Sequence, residues 1–398
     1  MAYPVKWYAS EMQGAPSLGD TTEGALTALL KAIMVTGFGS LTINALAWDA
    51  AKGWAVATFT GGHAYLQDSV VQVDGVSPAA YNGEHRVMLV TATQVWFELD
   101  GGNPGSAGSG ASMTMKVAPL GWTLTHESGD GKVAIYRPAS VSESGNISLR
   151  IDNSAYSGWF GASYPAYLAK VMLVEDVVDI NTYTLIYEGR WPCTKRFSNG
   201  RWDFVGDSQL FYFMPAYAAG NYQFVYSFGY IKSVRPGDRY HATFNVYPGN
   251  SANDQTRSWQ NASGNYTDWG NQFPYFDNTT WRVIARPYHQ LFGAISFSVK
   301  GIFARMGIGL SVPNPTDNGF YLSTDPVMVF ESSNILRGYQ PGLIIPFGTI
   351  LGWSRKNFAN LPVLPGKSVR FVQVGFEQSN YGANQTTMIG FDLTGPWR

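Results

Sequence analysis

The sequence predicts an all-β protein with one N-terminal helix, built as a β-sandwich or jelly-roll-type body with an inserted small β-barrel-like module. Three observations predict it. Short stretches of period-two apolar alternation lie between turn signals along most of the chain. Turn pairs such as Asn82-Gly83, Asn199-Gly200 and Pro341-Gly342 recur roughly every 8 to 15 residues. Amphipathic stretches long enough to build βαβ units are missing beyond the first 40 residues, which argues against a parallel α/β fold.

The helix comes first. Asp20 with Glu23 resembles a capping box. Leu26, Leu29, Leu30, Ile33 and Met34 then repeat at helical spacing, and Gly37 supplies the stop. Few charges flank this face, so it is expected to pack on a sheet or on a partner subunit. Residues 41–117 read as a compact run of strands at Leu41–Leu46, Ala55–Thr60, Val70–Val73, His85–Thr91 and Val95–Leu99. Gly101–Gly110 is a plain flexible loop. Further strands are expected at Asn146–Ile151, Val171–Val174, Phe224–Ile231, His241–Tyr247, Ala294–Val299 and Val369–Phe376. The division expected is 1–40 as an arm and helix belonging to the body, 41–117 as the inserted module, and 118–398 as one or two sandwiches.

Composition narrows the function. The chain has 398 residues, 27 Lys plus Arg against 28 Asp plus Glu, and a charged fraction of 14%. Ordinary domains carry about 25%. Aromatic residues reach 15%. This is the opposite of a disordered composition, and a net charge of −1 gives no footprint for nucleic acid. A poorly charged, aromatic-rich surface is expected to be covered by neighbouring subunits or to bind a ligand through rings and amides. Cys193 is the only cysteine, so no intrachain disulfide can form, and it reads as a structural thiol. The N-terminus lacks the apolar run of a signal peptide. Phe213–Ile231 is interrupted by Pro215, Gly220, Asn221 and Gln223, so it is no membrane span. The expectation is a protein made in the cytoplasm, not secreted and not inserted in a membrane.

Candidate chemistry is sparse. Gly206-Asp207-Ser208 with Asp238 and His241 resembles the serine and Asp-x-x-His blocks of lipase-like hydrolases, with Ser208 as nucleophile, His241 as base and Asp238 to orient it. The blocks stand mid-chain and close together, and no helix follows the serine. The competing reading is a tight turn between aromatic strands. Glu175, Asp176 and Asp179 are the densest carboxylates, read as a solvated turn or an oxygen-ligand cation site rather than a glycosidase pair. His63, His85, His126, His241 and His289 show no zinc spacing. No cofactor, no metal and no catalytic residue is expected, and the chain is read as a non-enzyme. The stronger lead is 249–280, a long polar stretch in which Trp259, Tyr266, Trp269 and Tyr275 are interleaved with Asn, Ser, Gly and Thr. It suits a partner protein or a glycan.

The block Gly62-His63, Asp68 to Gly75, Tyr81 to His85 and Val90 to Phe97 is similar to a small β module common in bacteriophage tail and baseplate proteins. Pro4 to Trp7 with Gly14-Ala15-Pro16, the helix, Ala118 to Trp122 and the closing Phe391 to Trp397 resemble a widespread family of phage virion proteins. The resemblance covers the first 140 residues or so well and the rest loosely, and its motifs mark no active site. It implies a virion component of the tail or baseplate of a phage that infects a Gram-negative host, and does not imply its station on the particle. The chain is read as a non-enzymatic tail-tip or baseplate structural protein that assembles as a symmetric homo-oligomer with other virion proteins. Tyr3, Trp7, Tyr8, Leu26, Leu29, Leu30 and Ile33 are the expected assembly contacts. Three alternatives stay open: a receptor-binding or side-fibre protein that takes host-surface glycan through 249–280, a capsid decoration protein, and a hydrolase using Ser208.

Overall fold

The computed structural model describes residues 3–19, 22–139, 145–154, 168–193, 200–216, 223, 225–246, 282–300, 314–323, 325–331, 335–346, 351–377 and 384–398. Among them the chain forms four antiparallel sheets. One helix, Ala25–Lys31, continues into a π-helical turn at Ala32–Thr36. The all-β class with one N-terminal helix is therefore the observed one.

Seven strands between Phe38 and Val117 make one curled sheet. Its two edge strands, Phe38–Thr42 and Ala45–Asp49, are consecutive in the chain. Only Ile43 and Asn44 separate them. The Ile43 N–H donates to the Met113 carbonyl and the Asn44 N–H to the Thr58 carbonyl, both at 2.9 Å. These acceptors flank opposite ends of the strand order, so the bend draws the two edges towards each other and curls the sheet. The sequence predicts one strand over Leu41–Leu46. The chain bends inside it because the segment serves both edges.

Thr123–Glu127, Val133–Arg137, Ile147–Asp152, Leu168–Glu175 and Thr184–Pro192 pair in chain order as a meander. The helix is tied to this sheet. The Leu26 N–H donates to Asn153 Oδ1 at 2.9 Å, and the Tyr136 hydroxyl donates to the Thr27 carbonyl at 3.0 Å. This corrects the expected capping box. Gly24 occupies the N-cap in a left-handed conformation with no side-chain cap of its own. Glu23 pairs with Lys132 at 2.5 Å, and Asp20 lies outside the described residues. The orphan N–H groups of a short helix need an acceptor, and a buried asparagine from a distant loop supplies one. Gly37 ends the helix as expected, at φ 70°, where a Cβ would lie 2.4 Å from the Val117 carbonyl.

The largest sheet has ten strands. Its second to fourth strands from one edge, Trp202–Gly206, Leu210–Pro215 and Tyr226–Tyr230, are buried at every position. A strand covered on both faces needs no alternation, which explains runs such as Leu210–Met214. Trp191, from the last meander strand, packs against Phe211, Phe213, Tyr226 and Phe244 of this sheet, with ring centroids 5.8–6.2 Å apart. Its indole N–H donates to the Asn245 carbonyl at 2.9 Å. At Gly189 a Cβ would lie 2.3 Å from Val246 Cγ2, so glycine permits this close sheet-on-sheet packing.

A fourth sheet contains Leu322–Ser323, Leu343–Pro346, Lys356–Ala359, Ser368–Glu377 and Asn384–Asp392. It is joined to the large sheet by charge. Asp203, fully buried, accepts from Arg370 Nη2 at 2.6 Å and from Arg355 Nε at 2.8 Å. Burial alone would push this carboxyl up, but the two guanidinium groups outweigh it and hold it below the ordinary range.

Candidate functional site

The expected assembly residues are spent inside the protein. Lys6–Ala9 is an edge strand of the large sheet, paired with Trp202–Gly206. Trp7 Nε1 donates to the Asp68 carbonyl and the Tyr8 hydroxyl to the Ala118 carbonyl, both at 2.9 Å. Tyr3 donates to Glu98 at 3.0 Å. Tyr3, Trp7 and Tyr8 are buried, and Leu26, Leu29, Leu30 and Ile33 show no exposure. The apolar helix face and the aromatic arm cover the chain's own sheets, so they have no surface left for a partner. Trp259, Tyr266, Trp269 and Tyr275 lie outside the described residues.

The hydrolase constellation is not assembled. Ser208 is exposed in a two-bond turn, where Asp207 Oδ1 accepts from the Gln209 N–H at 2.8 Å and the Leu210 N–H at 2.7 Å. His241 precedes the strand Ala242–Asn245, and Tyr226–Tyr230 lies between that strand and Leu210–Pro215. Two strand spacings, about 10 Å, thus separate serine from histidine. His241 Nδ1 instead meets the Asp238 carbonyl at 2.7 Å. The acidic group also disperses. Asp176 accepts from Asn146 at 2.7 Å, Asp179 closes its own turn with the Asn181 and Thr182 N–H groups, and Glu175 turns inward. Among the described residues no three His, Cys, Asp or Glu side chains are grouped to hold a metal ion. Cys193 is buried beside Asn153, and burial pushes its thiol well up.

Glu175, Asp238 and His241 belong to one buried charge network, which the sequence did not reveal because its arginines lie far along the chain. Arg337, with no side-chain exposure, reaches Asp238 through Nε at 2.5 Å and Nη2 at 2.8 Å. Its Nη1 pairs with Glu331 and donates to the Arg286 carbonyl at 3.0 Å. Arg286 pairs with Glu175 at 2.5 Å and lies over the Tyr240 ring at 3.9 Å. Both Glu331 oxygens accept from the Tyr288 N–H, at 3.0 and 3.1 Å. Burial pushes the Asp238 carboxyl up, and Arg337 more than offsets this, leaving it below the ordinary value.

This network holds Arg286 and the Tyr288 backbone, and the residues just after them carry the exposed feature of interest. Leu291 is 68% exposed and Phe292 60%. Tyr288 and the neighbouring Val234 and Ile335 are also exposed. Val234 sits beside the network through its N–H bond to the Arg337 carbonyl at 3.0 Å, and Arg235 lies over the Tyr288 ring at 4.8 Å. Single exposed apolar residues are ordinary, and Leu291 with Phe292 puts two of the most exposed side by side in the chain. No protein-family model matches the chain, and no curated protein matches it.

The histidines set a pH dependence. His63, His85 and His241 are each held below the ordinary imidazole value, chiefly by burial. A folded value below the unfolded one means that the unfolded chain binds more protons in between. Their contribution to stability is therefore complete above about pH 6.5 and is lost as pH falls below it. The melting temperature should drop between pH 7 and pH 5, and His241→Gln should flatten part of that slope. A melting temperature constant over this range would contradict the burial argument.

Proposed function

We propose that this chain is a non-enzymatic structural subunit of a bacteriophage particle, at the tail tip or baseplate, which assembles with copies of itself and with other virion proteins. The observation that carries the reading is the exposed pair Leu291 and Phe292, which follows Arg286 and Tyr288, two residues bonded to the buried charge network. A loop rigidified at the cost of burying Arg337 and its two carboxylates is prepared to meet a partner without further ordering. The low charge and the resemblance of residues 62–97 to a phage tail module support the same reading. The assembly surface proposed is thus 286–292 with Val234 and Ile335, in place of the buried arm and helix face. No nucleic-acid partner and no membrane insertion are part of the proposal.

The test is the composition of purified particles. Mass spectrometry of phage particles that carry this gene should find the chain in fixed copy number relative to the major tail proteins. Its confinement to the soluble lysate would overturn the reading. A fixed ratio to the major capsid protein, in tailless heads, would favour a decoration protein instead.

A further inference from the structure

Where the large sheet meets the C-terminal sheet lies a half-open groove of about 380 Å³. Small-ligand pockets begin at about 300 Å³. The groove's apolar lining comes from Leu343, Ile344, Leu364 and the Trp397 ring. Trp397 is fixed in place. Its indole N–H donates to the Asp392 carbonyl at 3.0 Å, and a Cβ at Gly342 would lie 2.3 Å from its Cε2. The sides are polar. On one side Lys232 and Tyr339 stand directly opposite each other in an antiparallel pair, which sends both side chains to one face. Among the described residues neither the Lys232 ammonium nor the Tyr339 hydroxyl has a hydrogen-bonding partner. On the other side Lys367 Nζ pairs with Asp392 Oδ2 at 2.9 Å and donates to the Gly395 carbonyl at 3.2 Å. Gln340, 2% exposed, also lines the groove, and its amide oxygen has no donor. The neighbouring Tyr212 hydroxyl gives its proton to the Pro341 carbonyl at 2.6 Å.

This distribution specifies a ligand chemistry. A pyranose ring has apolar C–H faces and a rim of hydroxyls that both donate and accept. A groove that mixes apolar side chains with polar ones suits such a ring, with Lys367 and Asp392 able to offer a donor and an acceptor to neighbouring hydroxyls. Asp392 neutralises Lys367, which leaves Lys232 as spare positive charge that calls for an anion on the sugar. We propose that this groove binds an acidic monosaccharide unit, with its carboxylate on Lys232 and the Tyr339 hydroxyl. The proposal goes beyond assembly and does not depend on it.

Saturation-transfer NMR titrations of the full chain test it, with glucuronate, galacturonate and N-acetylneuraminate as probes. Methyl galacturonate ester, galactose and benzoate serve as controls. At least one acidic sugar should bind. Its ester should bind about tenfold more weakly, and Lys232→Gln should weaken the acid by a similar factor and leave the ester unchanged. Lys232 is exposed, so this variant should melt like the parent. Binding should survive in Leu291→Asp/Phe292→Asp, which separates this site from the assembly surface. The proposal is overturned if no acidic sugar binds, if Lys232→Gln binds as tightly as the parent, or if benzoate outcompetes the sugars, which would mark an apolar-acid pocket.

Discussion

Arg337→Met should destabilise the protein by about 3–5 kcal/mol at pH 7, the cost of removing one partner from a buried ion pair. Methionine fills much of the arginine volume, so the loss comes from charge rather than from a cavity. Asp238 and Glu331 would then face each other with no cation between them. The sign of the pH dependence distinguishes this cause. In the parent, Arg337 holds the Asp238 carboxyl below its ordinary value, so that contribution is present at neutral pH and disappears as pH falls through the folded value. In the variant, burial without Arg337 raises the carboxyl above its unfolded value, so the variant is relieved as pH falls. The difference between parent and variant should therefore shrink from pH 7 to pH 4.5 in denaturant titrations. A difference independent of pH would point to packing alone. Adding Asp238→Leu to Arg337→Met should recover part of the loss, since an apolar replacement of a buried pair is often tolerated. Full recovery is not expected, because Glu331 would stay buried and would still hold the Tyr288 N–H.

Leu291→Asp/Phe292→Asp has its largest effect on association, and little on stability. Both side chains are mostly in solvent in the single chain, and exposed substitutions usually move stability by less than about 0.5 kcal/mol. In an interface the same carboxylates would have to lose water without a cation to meet them. Light scattering should give the parent a mass that is an integral multiple of 43.6 kDa, and the double variant the mass of one chain, with unchanged melting. A monomeric parent at micromolar concentration would contradict a contact between copies of this chain through these residues.

The sequence made the architecture legible and left the surface illegible. Short alternating strands, Gly-containing turns and the absence of later helices led directly to the all-β class. The helix spacing was also readable, because Leu26, Leu29, Leu30 and Ile33 do face one way. What they face was not readable. Apolar periodicity records that a face is covered, and a sheet of the same chain covers it as well as a partner would. The N-terminal arm posed the same ambiguity, and it became an edge strand on Trp202–Gly206, almost two hundred residues away. The charged network escaped notice for a related reason. Asp238 and His241 drew attention as catalytic neighbours, whereas the group that defines them is Arg337, 99 residues further on. Leu291 and Phe292 carry no sequence signal of exposure, since apolar residues beside a strand ordinarily read as core.

The central claim is that residues 286–292 form a contact between subunits of a phage particle. Electron cryo-microscopy of intact particles, at a resolution that traces side chains, tests it most directly. The expected map shows this chain in a symmetric ring or trimer at the tail tip or baseplate, with Leu291 and Phe292 buried against a neighbouring subunit. A map in which the chain is present but these two side chains face open solvent would contradict it.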